Sequence, residues 1–313
     1  MNTINEDQNS SNSIDRIAAF RQAYKNAKFL GRIQIALVFI AFVITLASVV
    51  INSPIMPALL NTPQKDISPT IVVVTLFFTL FEIVFLKVKT SEQIELGAKI
   101  QELFDTEIFQ LSWNSASAGK KPAIEKINNL ARKHFKKNPD TQALQNWYSV
   151  RPSTPHPLGV LVCQYSCLSW DIELREKIRQ SVILISFALT ATIALTAVLL
   201  NPDTQSTLLN IVSIFMPVFT YAHTIYELNN KTIKHTQEIK DLLSDTMDGI
   251  TPDTDDNWIM QMCREIQNSI YTYRASAWPI PEWFYWILRD ELEDTMSYSA
   301  TDIQNKLAEK TVR

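Results

Sequence analysis

The stretch IQIALVFIAFVITLASVVI, Ile33 to Ile51, decides the fold. Gln34, Thr45 and Ser48 are its only polar residues, and at the helical rise such a run covers a bilayer core of roughly 30 Å. Three more runs follow. Ile67 to Leu86 carries one acid, Glu82; Val182 to Leu200 carries no charge; Thr207 to Tyr226 contains Pro217 and His223 but no formal charge. Each is long enough to span, and together they make two hairpins, so the expectation is an integral membrane protein.

Basic residues set the orientation. Arg16, Arg21, Lys25, Lys28 and Arg32 precede the first run, Lys87 and Lys89 follow the second, Arg175, Lys177 and Arg179 precede the third, and Lys231 and Lys234 follow the fourth. The short connections Asn52 to Asp66 and Asn201 to Ser206 hold only Lys65. Lys and Arg near span ends stay on the cytoplasmic side, so both termini and both large polar segments are expected in the cytosol. Little is left to protrude outside, which argues against an external binding domain.

The expected fold is all-α. Five glycines in 313 residues leave no glycine-rich loop for a phosphate and few tight hairpin turns. The chain divides into a disordered tail with a basic amphipathic helix (1–32), a transmembrane hairpin (33–86), a cytosolic helical segment (87–180), a second hairpin (181–226) and a cytosolic helical C-terminal segment (227–313). The two cytosolic segments are expected to pack as one domain. Met1 to Ser13 is polar and lacks the apolar stretch of a cleavable signal, so it reads as disordered. Ile14 to Leu30 carries Ile17 and Tyr24 at helical spacing among basic residues, as an interfacial anchor or a regulatory helix would. A net charge of −3 averages apolar spans with charged helices and says little about partners.

Several features of the polar segments bear on chemistry. Lys120, Lys121, Lys126, Arg132, Lys133, His134, Lys136 and Lys137 crowd a helix bounded by Pro122 and Pro139 and opposed only by Glu125. Such a cluster attracts a phosphate-bearing ligand or acidic lipid, or serves as a solvated face. Cys163 and Cys167 lie one helical turn apart, but no histidine pair completes a zinc site, so these thiols and Cys263 read as reduced, packed side chains. Trp283, Phe284, Tyr285 and Trp286 cover too much helix circumference for one core face, which leaves a partner, a ligand or the membrane interface for some of them. No nucleophile elbow, metalloprotease motif, Walker loop or paired-carboxylate site occurs, so a non-enzyme is expected. Inside the spans, Glu82 would line a watered path or reach the interface. Pro217 removes a backbone bond to Ser213 and can hinge its helix. Asn210, Ser213, Thr220 and His223 give that span a pore-lining or helix-contact character.

Three groups of residues carry a resemblance. Trp147-Tyr148, Cys163-Gln164, Trp170-Asp171 and Leu174-Arg175 precede the third run; Ile266-Gln267, Ile270-Tyr271 and Arg274 follow the fourth; Pro279-Ile280-Pro281-Glu282-Trp283-Phe284-Tyr285 with Leu288-Arg289 closes the series. In this order around four spans they resemble the SMODS-associated four-transmembrane effector family. The chain departs from its pattern at Tyr165 and Cys167, where the family often shows Arg and Asn. The resemblance implies a pore-forming effector of a bacterial antiphage system of the CBASS type. A partner nucleotidyltransferase would supply a cyclic nucleotide, and the effector would oligomerise and permeabilise the inner membrane, with growth arrest or cell death. The competing expectation is a non-pore sensor or scaffold. Expected partners are the lipid bilayer, further copies of the chain and the cyclic oligonucleotide, with no DNA or RNA polymer and no cofactor. Phosphates need cations and bases need flat partners, so the candidate ligand residues are Arg132, Lys133, Lys136, Trp147, Tyr148, Arg151, Arg274, Trp283, Tyr285 and Arg289.

Overall fold

The computed structural model describes residues 2–51, 68–200, 205–280, 284 and 300–310, and among them every regular element is helical. In chain order, α1 is Ile4–Asp7, α2 Ser11–Ile51, α3 Ser68–Phe81, α4 Lys87–Ile108, α5 Ser115–Ala118, α6 Ile124–Phe135, α7 His156–Leu200, α8 Gln205–Asp248 and α9 Asp256–Ser276; residues 300–310 form α10. A π-helical turn, Glu82–Leu86, joins α3 to α4. The chain forms two compact units. One comprises Met1–Lys28, Ser91–Lys177 and Asn229–Arg313; the other comprises Phe29–Thr90 and Ile178–Leu228.

The second unit is apolar and bare. Phe39, Val72, Phe77, Leu184 and Phe187 are between 63% and 74% exposed. A water-soluble protein does not leave such a surface uncovered, so lipid or another protein must cover it. Among the described residues, two helices are long and apolar enough to cross a membrane, Ser11–Ala47 and Pro69–Ile108. Two of their hydroxyls follow the rule that lipid imposes on polar groups. Thr45 Oγ1 donates to the Ala41 carbonyl at 2.8 Å and Thr79 Oγ1 to the Thr75 carbonyl at 2.9 Å, so neither is stranded in hydrocarbon. Phe42 and Phe215 meet at 5.6 Å between ring centres and bring α2 against α8 inside this unit.

The first unit is a helical domain with its own core. α6 shows how the sequence builds it: Ile127, Leu130, Ala131 and His134 recur at helical spacing and point inward, leaving the lysines and Arg132 outside. Opposite lie Ile100, Leu103 and Phe104 of α4, Leu161 and Leu168 of α7, Ile239 and Leu243 of α8, and Ile266 and Ile270 of α9. Side-chain caps fix two starts: Asn114 accepts from the Ala116 and Ser117 amides before α5, and Asp255 accepts from Asn257 before α9. Gly97 lets α4 approach α2 closely, since a Cβ there would sit 3.0 Å from the Tyr24 ring.

At the N-terminus the structure corrects the sequence reading. Residues 2–13 are not a free tail: Ile4 is fully buried and Gln8 nearly so. Gln8 donates from Nε2 to the Tyr148 carbonyl at 3.1 Å and accepts from the Tyr148 amide at 2.7 Å. Asn9 donates to the Asn146 side-chain oxygen and accepts from the Asn146 amide, and Asn5 donates to the Val150 carbonyl. Side-chain amides thus pair with an extended segment that has no strand partner. The next helix departs from expectation too. Ile14, Ile17, Ala18, Phe20, Ala23 and Ala27 of α2 face the protein core rather than a lipid surface, because the alanines are small enough to admit neighbouring helices.

Candidate functional site

A buried ionic centre occupies the middle of the first unit. Glu102 and Asp105, three residues apart on α4, share one face. Toward them α9 sends Arg264, Gln267 and Arg274. Arg264 donates to Glu102 at 2.6 Å, Arg274 donates to Asp105 at 2.5 Å, and the Gln267 amide reaches both acids, at 2.9 and 3.1 Å. Tyr148 adds its hydroxyl to Asp105 at 2.9 Å. From α7, Gln164 donates to the Gln267 side chain at 3.0 Å, and Cys167 receives the second Arg274 nitrogen at 2.9 Å. Burial pushes the Glu102 carboxyl above its usual range, against the pull of Gln267 and Arg264. Burial opposes the Arg274 charge, but Cys167 and Asp105 hold it protonated. Two acids facing two arginines leave no uncompensated charge, the condition under which buried ions are tolerated.

A second polar joint sits near the middle of α7. Arg175, nine-tenths buried, donates to Asp171 at 2.7 Å, to the Asn229 side chain at 3.1 Å and to the Trp278 carbonyl at 3.2 Å. One guanidinium thereby ties α7 to α8 and to the segment after α9. Five of the residues that carry the family resemblance, Gln164, Asp171, Arg175, Gln267 and Arg274, lie in these two joints.

The candidate ligand residues are dispersed by the fold. Arg132 and Lys133 on α6 and Lys136 just after it are exposed. Arg151 is exposed as well, donating to the Asn305 side chain at 2.7 Å, while its amide donates to Gln304 at 2.8 Å. Tyr148 and Arg274 both bind Asp105 in the interior. Trp147 is half-buried: the Phe20 ring lies 5.3 Å away, and the Arg21 guanidinium stands over the indole at 5.1 Å. Trp283, Tyr285 and Arg289 lie outside the described residues. In the sequence Arg21 and Lys25 serve as orientation signals and as part of a basic amphipathic helix; their spacing of four, on one face of a helix, is the signal that they can act together.

Among the span candidates, Glu82 is half-buried and begins the π-helical turn. Such turns are frequent at functional sites. α8 continues through Pro217. Thr220 and His223 are exposed, and Thr220 Oγ1 donates to the Met216 carbonyl at 2.9 Å. Asn210 and Ser213 lie on α8 with side chains outside the described residues. Among the described residues no group of three or more His, Cys, Asp or Glu is placed to hold a metal ion.

Comparison with known proteins adds the family. A protein of Bacillus cereus (strain VD146), named "Probable CBASS effector molecule", is 26% identical over 295 residues, covering 93% of this chain and 95% of that relative. No solved structure matches. The family described as SMODS-associating 4TM effector domain matches residues 2–303, a span that takes in both units, the ionic centre and the Arg175 joint. The chain therefore belongs to the SMODS-associating four-transmembrane effector family.

Proposed function

We propose that this chain is a membrane effector of a CBASS antiphage system, anchored by four spans with both termini in the cytosol. On infection a cyclic nucleotide binds the cytosolic helical unit, and copies of the chain assemble and permeabilise the inner membrane. One observation carries the reading: a polar helical unit with its own ionic centre shares unbroken helices with an apolar unit whose large side chains are left uncovered. α2, α4, α7 and α8 each begin in one unit and end in the other. A signal received by the first unit therefore has rigid elements along which to reach the second. Family membership and the Bacillus relative support the antiphage setting. Four helices from one chain enclose little lumen, so a lesion requires several copies.

The experiment is membrane depolarisation and dye uptake in cells carrying the chain with its cognate nucleotidyltransferase. The expected result is loss of potential soon after activation and before growth stops. Growth arrest at full potential would reject permeabilisation and favour the non-pore sensor or scaffold.

A further inference from the structure

The corner around Trp147 has the chemistry of an anion site. Arg21 and Lys25 stand one turn apart on α2, and Arg21 lies over the Trp147 indole. From α6, His134 is buried to 7% exposure, its ring edge-on to Phe135 at 5.9 Å. Its Nδ1 is buried without a hydrogen-bond partner. A buried, unmade hydrogen bond costs about 1–3 kcal/mol, so this nitrogen is an unfilled position that a ligand can complete. Burial, and then the charges of Arg21 and Lys25, hold the imidazole below its ordinary range, so the two cations reach it electrostatically. Two cations whose charge reaches an unfilled ring nitrogen favour an oxyanion with several acceptor oxygens. Arg21 supplies a planar fork suited to phosphate, and the flat indole beneath it suits a base.

We infer that Arg21, Lys25, His134 and Trp147 form a subsite for a phosphate-bearing ligand with a flat ring, the phosphate held by the two cations and by a hydrogen bond from the neutral His134 ring, and the flat ring stacked on Trp147. This rests on the nucleotide trigger proposed above and adds residues that the exposed α6 run does not contain. Arg21 turns from the indole face to the phosphate, which vacates the face for the base. Because Arg21 and Lys25 belong to a helix that continues unbroken to Ile51, the ligand grips a membrane helix directly.

The test uses purified full-length protein in nanodiscs, titrated with a panel of cyclic di- and trinucleotides and separately with inorganic pyrophosphate. Arg21→Gln, Lys25→Gln and Trp147→Leu are compared with the control Lys126→Gln/Lys137→Gln, each checked by its unliganded melting temperature. The subsite predicts at least about tenfold weaker nucleotide binding for Arg21→Gln and Lys25→Gln. Trp147→Leu should lose nucleotide affinity but keep pyrophosphate, and the control should stay within about twofold of wild type. If a nucleotide binds wild type and binds Arg21→Gln and Trp147→Leu equally well, the subsite is wrong while the trigger reading stands. If no nucleotide binds, the trigger reading fails and pyrophosphate decides the subsite. A melting shift in wild type that Arg21→Gln abolishes keeps it for another phosphate ligand, and no shift in wild type overturns it. Should Arg21→Gln not fold, Arg21→Lys takes its place; pyrophosphate binding retained with nucleotide binding weakened supports the subsite, and both retained at wild-type strength rejects it.

Discussion

At the scale of single residues, the buried centre separates charge from hydrogen bonding. Glu102 is held against its own desolvation by Arg264 and Gln267. Replacing Arg264 with Met strands a carboxylate and should cost about 3–5 kcal/mol. Glu102→Gln keeps an acceptor and sheds the desolvation penalty, so it should cost markedly less. Chemical denaturation of the detergent-solubilised protein measures both, and equal losses would mean that Arg264 acts by packing rather than by charge. His134 supplies the pH dependence. Its folded pKa is lowered from an ordinary value of 6.5 by burial and then by Arg21 and Lys25. The unfolded chain therefore takes up the proton more readily, and the stability that the neutral ring contributes is present above about pH 6.5 and lost as pH falls through the folded value. Melting temperature should drop below that pH in wild type and drop less in His134→Gln; parallel curves would show that other groups dominate.

Among the elements, what was legible depended on the range over which each residue acts. The apolar stripe Ile127, Leu130, Ala131 on α6 repeats within one helix, so periodicity exposes it. The same holds for the apolar runs of α2 and α3, whose composition alone distinguishes them. The N-terminal segment was misread because its ordering bonds are not local. Gln8 serves Tyr148 from 140 positions away, and polar side chains that replace a missing strand look like any polar tail. The partner of Arg274 is hidden from sequence in the same way: its acid, Asp105, lies 169 positions off. Tyr148 and Trp147 are neighbours in sequence, but one faces the ionic centre and the other the α2 corner. Gln8→Ala tests the N-terminal pairing. It leaves the buried Tyr148 amide and carbonyl without these partners and should cost about 1–3 kcal/mol, whereas a free tail would give no change in denaturation midpoint. A smaller effect of opposite sign is expected at the end of α4. Gln110 adopts φ 56° there, and the Leu111 amide closes on the Thr106 carbonyl at 2.8 Å, an arrangement that glycine usually completes. Gln110→Gly should raise stability by up to about 1 kcal/mol.

For the whole molecule, the decisive question is which side of the bilayer holds the ionic centre. Arg16, Arg21, Lys25 and Lys28 were counted as orientation signals, yet the structure places them on a helix packed into a folded domain, where Arg16 pairs with Glu107. Paired cations cannot be moved through a membrane apart from their domain, so the folded unit reinforces the bias of its lysines and arginines. The same holds for Arg175, tied to Asp171, Asn229 and Trp278 near the middle of α7. Residues 2–28 and 300–310 both belong to that unit, and the proposed four-span topology puts them together on the cytosolic side. Single cysteines introduced at Thr204, Lys133 and Asn305 test this in a background where Cys163, Cys167 and Cys263 are replaced. A membrane-impermeant maleimide should label Thr204→Cys in intact cells, and label Lys133→Cys and Asn305→Cys only after the inner membrane is opened. Labelling of Asn305→Cys from outside would reverse the topology. It would also place the Trp147 corner beyond the reach of any cytosolic nucleotide, so the trigger reading would fall with it.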